Sequence, residues 1–242
     1  MHAFNSMERR MSRPPLPKLS TPLANRLRAR QARLLWWWST RKFPLIKRGL
    51  DIVLVLAALL LLTPLFVLIA LTIKWYDRGP VLFWQQRVGL HGRVFPFPKF
   101  RSMCVNAEQV RAGLLDKNQH GSEGITFKMK DDPRITPIGR LIRHTSIDEL
   151  PQLWCVLRGD MSLVGPRPPL VSEVARYTML ERQRLSVTPG LTCTWQVGGR
   201  SEIPFPQQVR MDIEYIQHRS LGADVKLLAK TLPAVIRGRG AY

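Results

Sequence analysis

Hydrophobic and polar positions divide the chain into three stretches. Residues 1–46 are polar and basic, residues 47–78 surround an uncharged apolar run, and residues 79–242 mix short strand-like and helix-like patterns. The run itself, residues 52–73, reads IVLVLAALLLLTPLFVLIALTI. As a helix it would rise about 33 Å, the thickness of a bilayer's hydrocarbon core. Pro64 stands at its midpoint, where the ring clashes with the Leu60 carbonyl and one backbone donor is lost. Thr63 beside it offers a hydroxyl to the freed backbone. Lys47 and Arg48 precede the run, Lys74 and Arg78 follow it, and basic flanks stay in the cytoplasm. Two basic ends predict a re-entrant helix, bent at Thr63-Pro64, that enters and leaves by one membrane face.

Beyond Gly79-Pro80 the period shortens. Residues 81–86 and 94–101 flank the turn signal Val88-Gly89-Leu90-His91-Gly92, which predicts a β-hairpin. Residues 104–124 read as a helix fading into a loop, with a short strand at 125–129. Helical periodicity then predicts segments at 134–144, 149–157, 169–185, 205–218 and 222–236. The fold class is α/β: a small, mostly helical domain with a short β-hairpin, anchored by the N-terminal re-entrant helix.

Charge changes this picture. The chain holds 37 Lys and Arg against 17 Asp and Glu, a net charge of +20. Residues 1–50 carry twelve of those basic residues and one acid, Glu8, so the excess gathers beside the apolar run. Such a balance implies an anionic partner: nucleic acid, anionic lipid or a phosphorylated substrate. Within the extension, Arg26, Arg28, Arg30 and Arg33 interleave with Leu27, Leu34 and Leu35 ahead of Trp36-Trp37-Trp38, which suits a helix in the headgroup layer. Cys104, Cys155 and Cys193 are odd in number and far apart, so a reducing compartment is expected. The apolar run begins later than it would in a cleaved leader.

Four clusters could carry chemistry. In Arg143-His144-Thr145-Ser146-Ile147-Asp148-Glu149-Leu150-Pro151, Asp148 could cap the following helix, or Ser146 and Glu149 could form a capping box. The same carboxylates at a helix N-terminus, beside Arg143, could instead meet a magnesium-bound phosphate. Adjacent helical residues point about 100° apart, so one acid could attack phosphorus while the other manages metal or proton. Gly165-Pro166-Arg167-Pro168 is a stiff loop presenting one guanidinium, suited to phosphate or a planar base, or simply solvated. Lys99 and Arg101 close a strand, where a surface salt bridge would explain them equally well. The stretch from Thr188 to Arg200 reads as a flexible glycine-rich loop with one arginine. Lys99, Arg101, Arg143, Arg200 and Asp212 are the candidate phosphate- and substrate-contacting residues.

Taken in order, these blocks resemble the bacterial sugar transferases, the monotopic polyprenyl-phosphate phosphoglycosyl transferases. The resemblance runs from Lys47 to Tyr242 through K-R-G-L-D, G-P-V-L-F-W-Q-Q-R-V-G, K-F-R-S-M, D-D-P-R-I-T-P-I-G-R, T-S-I-D-E-L-P-Q-L and G-D-M-S-L-V-G-P-R-P. It continues in P-G-L-T, W-Q-V-G-G-R and R-G-R-G-A-Y. It implies transfer of a sugar-1-phosphate from a UDP-sugar to undecaprenyl phosphate, with release of UMP, as a first membrane step in exopolysaccharide, capsule or surface glycan synthesis. Asp148 and Glu149 would be the catalytic pair, Asp148 the nucleophile and the residue associated with Mg2+. Gly165, Pro166, Arg167 and Pro168 would bind nucleotide and Arg143 phosphate. Thr63 stands where a Ser often precedes the proline, and Cys193 where a small Gly is usual. The implied location is the cytoplasmic face of the bacterial inner membrane, among membrane lipid, and a homodimer is left open. The competing reading is a membrane-tethered scaffold that binds nucleic acid or anionic lipid. Against nucleic acid, residues 81–242 lack a basic recognition helix with interleaved aromatics.

Overall fold

The computed structural model describes residues 43–107, 109 and 132–237. The basic extension, most of the expected helix 104–124, the strand 125–129 and the end of R-G-R-G-A-Y lie outside the described residues. Chain contacts divide the molecule into residues 1–49 and residues 50–242; the first helix begins in the first unit, and everything else below concerns the second.

The apolar run lies within one α-helix, α1 (Phe43–Asp77), which continues through Pro64. It is long and apolar enough to cross a membrane by length and composition. Thr63 Oγ1 donates to Leu59 O at 2.7 Å, one residue short of the Leu60 carbonyl that Pro64 cannot serve. One stripe of α1 is packed against the domain: Asp51, Val55, Ile69 and Ile73 are buried. Ala58, Leu59, Leu62 and Phe66 fill the same stripe at three- and four-residue spacing. The other face is bare, with Leu60 81% and Leu61 79% exposed.

The hairpin forms where alternation predicts it. β1 (Leu82–Val88) pairs antiparallel with β2 (Val94–Phe100), in a register that sets Gln85 opposite Phe97 and Arg87 opposite Phe95. His91 and Gly92 take positive φ in the turn, a conformation that costs glycine little. Phe95 and Phe97 pack into the core with Val55, Leu153, Val156 and Met161; Phe100 packs with Ile69, Ile73 and Ile142.

α2 (Pro137–His144) starts with Pro137 in its first turn and with Thr136 Oγ1 accepting from Gly139 N. A 3-10 turn, Ile147–Gln152, leads into α3 (Leu153–Arg158), which stops at Gly159 in the left-handed region. Short β3 (Ser162–Val164) pairs parallel with β4 (Gly190–Thr192). Their ends meet backbone to backbone, since a Cβ on Gly165 would sit 2.6 Å from Thr188 O. Between them the expected helix 169–185 is broken. α4 (Val171–Val174) ends, and α5 (Met179–Arg182) restarts when Thr178 N donates to Glu181 Oε2. The expected glycine-rich loop also differs: α6 (Thr194–Gly198) buries Trp195 there. α7 (Phe205–His218) has the expected bounds, and α8 (Leu221–Arg237) closes the described chain.

Asp51, in the K-R-G-L-D block, ties α1 to β3. Its carboxylate accepts from Ser162 Oγ at 2.7 Å and from Leu163 N at 3.3 Å. α1 is thereby fastened to the strand that runs directly into Gly165-Pro166-Arg167-Pro168.

Candidate active site

Asp148 and Glu149 occupy the first turn of the 3-10 segment, and neither caps it. Ser146 takes the cap position at φ 56°, with no side-chain hydrogen bond to the turn. That left-handed residue turns the chain sharply after α2, so both carboxylates face β2 and the Gly165–Pro168 loop. Both expected capping roles are therefore replaced by ion pairing.

Two segments converge on Glu149. Lys99 Nζ, from β2, donates to Oε1 at 2.7 Å. Arg167 grips both oxygens, Nη1 to Oε2 at 3.1 Å and Nη2 to Oε1. Burial alone would raise the Glu149 pKa, but the charges and hydrogen bonds of Arg167 and Lys99 outweigh it and hold the carboxyl well below its usual range. Asp148 differs. Lys99 Nζ stands 3.9 Å from its Oδ2, an ion pair without a hydrogen bond. Burial pushes Asp148 above the usual aspartate range; Lys99, Arg143 and Arg167 offset this in part, and Glu149 adds to it. One carboxylate is locked by two cations, and the other is held close with no hydrogen bond to its oxygens among the described residues.

The other expected residues divide. Arg143, on the last turn of α2, acts through its charge on both Asp148 and Asp132. Arg200 feels Glu149, Arg167 and Asp148, while its Nη2 donates to Ala234 O on α8 at 3.1 Å. Arg101 is buried with its guanidinium over Gly79, where an added Cβ would strike it. Asp212 is 1% exposed and accepts from Arg184 Nε at 2.8 Å and Trp195 Nε1 at 3.3 Å. Arg184 in turn lies 5.9 Å from the Tyr177 ring and 5.8 Å from the Phe205 ring, which pack against each other.

Arg87 was not singled out by its sequence, although it stands in the Q-Q-R-V-G block. Its Nη1 donates to Pro168 O at 3.0 Å and its Nη2 to Gln85 Oε1 at 2.7 Å. The available signal was alternation, which sets Gln85 and Arg87 on one face of β1. With Lys99, Arg143, Arg167 and Arg200, it makes five cations acting on two adjacent carboxylates. Such an excess is suited to a multiply charged anion such as a diphosphate.

No group of three or more His, Cys, Asp or Glu able to hold a metal occurs among the described residues. With Glu149 committed to cations, Asp148 remains as a hard oxygen donor. This set fits an ion that takes one or two carboxylates and completes its shell with water and substrate phosphate, as Mg2+ does.

The sequence profile described as bacterial sugar transferase matches residues 42–238. The galactosyl transferase CpsE of Streptococcus agalactiae is 48% identical over 81% of this chain and 43% of its own length. The undecaprenyl-phosphate galactose phosphotransferase of Salmonella typhimurium is 43% identical over 81% of this chain and 42% of its own. The exopolysaccharide production protein ExoY of Sinorhizobium fredii is 39% identical over 81% of this chain and 88% of its own. The chain thus spans less than half the length of the first two relatives and most of the third.

Proposed function

The chain belongs to the bacterial sugar transferase family, and from that premise we propose that it moves a sugar-1-phosphate from a UDP-sugar to undecaprenyl phosphate. The observation that carries this reading is the inequality of the two carboxylates within one cluster of cations. Glu149 is held ionised and immobile by Lys99 and Arg167. Asp148 is the carboxylate with a lone pair to offer.

In this mechanism an Asp148 oxygen attacks the phosphorus that bears the sugar. The bond from that phosphorus to the bridging oxygen breaks, and UMP leaves with the electron pair. A phosphate oxygen of undecaprenyl phosphate then attacks the same phosphorus, releasing the Asp148 carboxylate and forming the lipid diphosphate sugar. Phosphoryl transfer asks mainly for positioning and charge neutralisation. Lys99, Arg143, Arg167 and Arg200 supply both, and Gly165–Pro168 offers the nucleotide a stiff, cationic edge. Magnesium, when bound with the diphosphate and held by Asp148, would neutralise charge on the phosphate oxygens.

A location at the cytoplasmic face is supported by α1. Asp51 and Ile73 both pack on the domain, although they lie about 33 Å apart along the helix. A perpendicular span would draw the charged site into hydrocarbon, at a cost of several kcal/mol per ion. A helix that enters and leaves by the cytoplasmic face keeps its bare face in lipid and the site in water at the surface. A lipid-dissolved acceptor then meets a soluble donor at Asp148.

The decisive experiment offers the full chain, in vesicles containing undecaprenyl phosphate and Mg2+, a panel of UDP-sugars, and measures UMP. UDP-galactose is the first to try, because two relatives carry galactose in their names. Lipid-dependent UMP release with one sugar is expected. Absence of release across the panel would remove this reading.

A further inference from the structure

Arg87 lies outside the ring of groups that grip the two carboxylates, yet it makes the contacts that set one member of that ring. Alternation along the hairpin puts Gln85 and Arg87 of β1 on one face with Phe95, Phe97 and Lys99 of β2. Phe97 is fully buried there and has two cations near its ring, Arg87 at 5.2 Å and Lys99 at 5.7 Å from the centroid. The two cations reach different partners. Lys99 holds Glu149 directly. Arg87 holds the carbonyl of Pro168, the residue next to Arg167, and Arg167 holds Glu149 from the other side. One rigid hairpin face therefore reaches the same carboxylate twice, once through a side chain and once through a loop backbone.

The loop's remaining attachments are to the protein frame. Val88 N donates to Pro169 O at 2.9 Å, and Arg87 bridges to Leu170. Gly165 N donates to Thr192 O, and Gly190 N to Pro166 O. Arg87 alone among these holds the loop by a charged side chain that also senses the site: Arg167 and Glu149 both act on its charge. Burial and the neighbouring Arg167 depress it to about 10. A buried guanidinium close to a second guanidinium is an unfavourable way to hold a carbonyl. Its Nε is buried without a hydrogen-bond partner. Glu173 and Glu149 offset part of that cost, and the charge also lies against the Phe97 ring; of these groups Glu149 belongs to the carboxylate pair.

We infer that Arg87 is a positioning residue for the transfer, setting the Arg167 guanidinium against Glu149 through the Pro168 carbonyl. The inference rests on the proposed transferase reading. Its substrate-level consequence is specific. Because Gly165–Pro168 would contact the nucleotide and not the lipid, loss of Arg87 should act on the UDP-sugar half of the reaction.

The test compares wild type, Arg87→Lys, Arg167→Lys and the double variant as full chains in vesicles, measuring UMP release against UDP-sugar and against undecaprenyl phosphate separately. Arg87→Lys keeps a charge but loses the fork that joins Pro168 O to Gln85. It should lower kcat/KM for UDP-sugar by about tenfold to a hundredfold, the scale of a small misplacement at a reacting centre. KM for undecaprenyl phosphate should stay within about twofold of wild type. In the Arg167→Lys background the same substitution should cost little more, because the group it positions is already gone. Multiplicative losses in the double variant, or an equal loss on both substrates, would overturn the inference. Gln85→Ala removes only the side-chain brace of Arg87 and provides a milder variant should Arg87→Lys misfold; the same one-sided loss, smaller in size, is expected. Wild type inactive with every UDP-sugar would instead remove the transferase reading itself.

Discussion

Two carboxylate–arginine pairs of this domain, one sealed and one half-buried, are built on opposite plans. Asp212 meets one arginine, Arg184, and the pair is sealed: their side chains are 1% and 4% exposed. Tyr177, Trp195 and Phe205 close around them. Glu149 meets Arg167 and Lys99 with side chains 18–21% exposed, beside a second carboxylate and further cations. The first pair is balanced and cut off from solvent; the second is over-supplied with positive charge and open. A buried pair whose charges cancel is weak evidence for anything but structure. A cluster whose charges do not cancel leaves room for a charged ligand to complete it.

The sharpest way to break this contrast is to remove one charge from each plan. Asp148→Asn should lower UMP release by about 10⁴-fold or more, the scale seen when a nucleophile is lost. It should not lower the melting temperature. Burial raises the Asp148 pKa, so the ionised form is strained by folding, and a neutral amide relieves that strain. Asp212→Asn should do the reverse. Burial raises the Asp212 pKa as well, but here the amide strands an Arg184 guanidinium sealed from water, and the loss should be about 3–5 kcal/mol of stability. Activity per folded molecule should be far less affected. Asp212→Asn with intact stability but abolished turnover would show that the two plans are not separate.

That contrast was only half legible in the sequence. The D-E pair and the G-P-R-P loop stood out as clusters, and the structure joins Lys99, Glu149 and Arg167 by hydrogen bonds. Asp212, by contrast, was grouped with the substrate contacts. Its aspartate label carries no information about burial, which depends on α6 and α7 closing over it. The hairpin and α7 were readable because their periods persist over seven residues or more. β3 and β4, three residues each, are too short to show alternation, and their pairing joins residues distant in sequence. α6 was hidden by its glycines, which suggested a mobile loop, whereas Trp195 fixes it to the core. The role of Arg87 arises only from hairpin register, a tertiary fact.

Acidity separates the plans by a smaller measure. Lys99 lowers the Asp148 pKa against the larger upward effect of burial. Lys99→Met removes that counter-charge, so the acid limb of kcat/KM should move to higher pH. An acid limb that stays in place or moves down would mean that Asp148 is not the group titrating there. Stability at the same site has the opposite sign. The Glu149 pKa is depressed, so its contribution is present above the unfolded pKa of a glutamate and is lost as pH falls through the folded value. Removing Lys99 should weaken that acid-side loss, because less pairing remains to be lost.

A third buried carboxylate tests whether charge pairing is needed at all. Asp51 is 5% exposed and accepts from a hydroxyl and a backbone amide, both neutral donors. Hydrogen bonds to a charged acceptor are worth about 1.5–3 kcal/mol each, and an amide oxygen in its place can keep one of them. Asp51→Asn should therefore cost only about 1–2 kcal/mol, less than Asp212→Asn. Its effect should nonetheless reach the site, because β3 runs from Ser162 into Gly165 and the Arg167 loop. The expected signature is a modest loss of thermal stability in vesicles together with a fall in kcat/KM of a few-fold for UDP-sugar. Ser162→Ala, which removes one of the two donors, should reproduce a fraction of both. If Asp51→Asn lowered stability while leaving turnover untouched, α1 would be an anchor that merely carries the domain. A matched fall would show that α1 is part of the frame on which Arg167 is aimed.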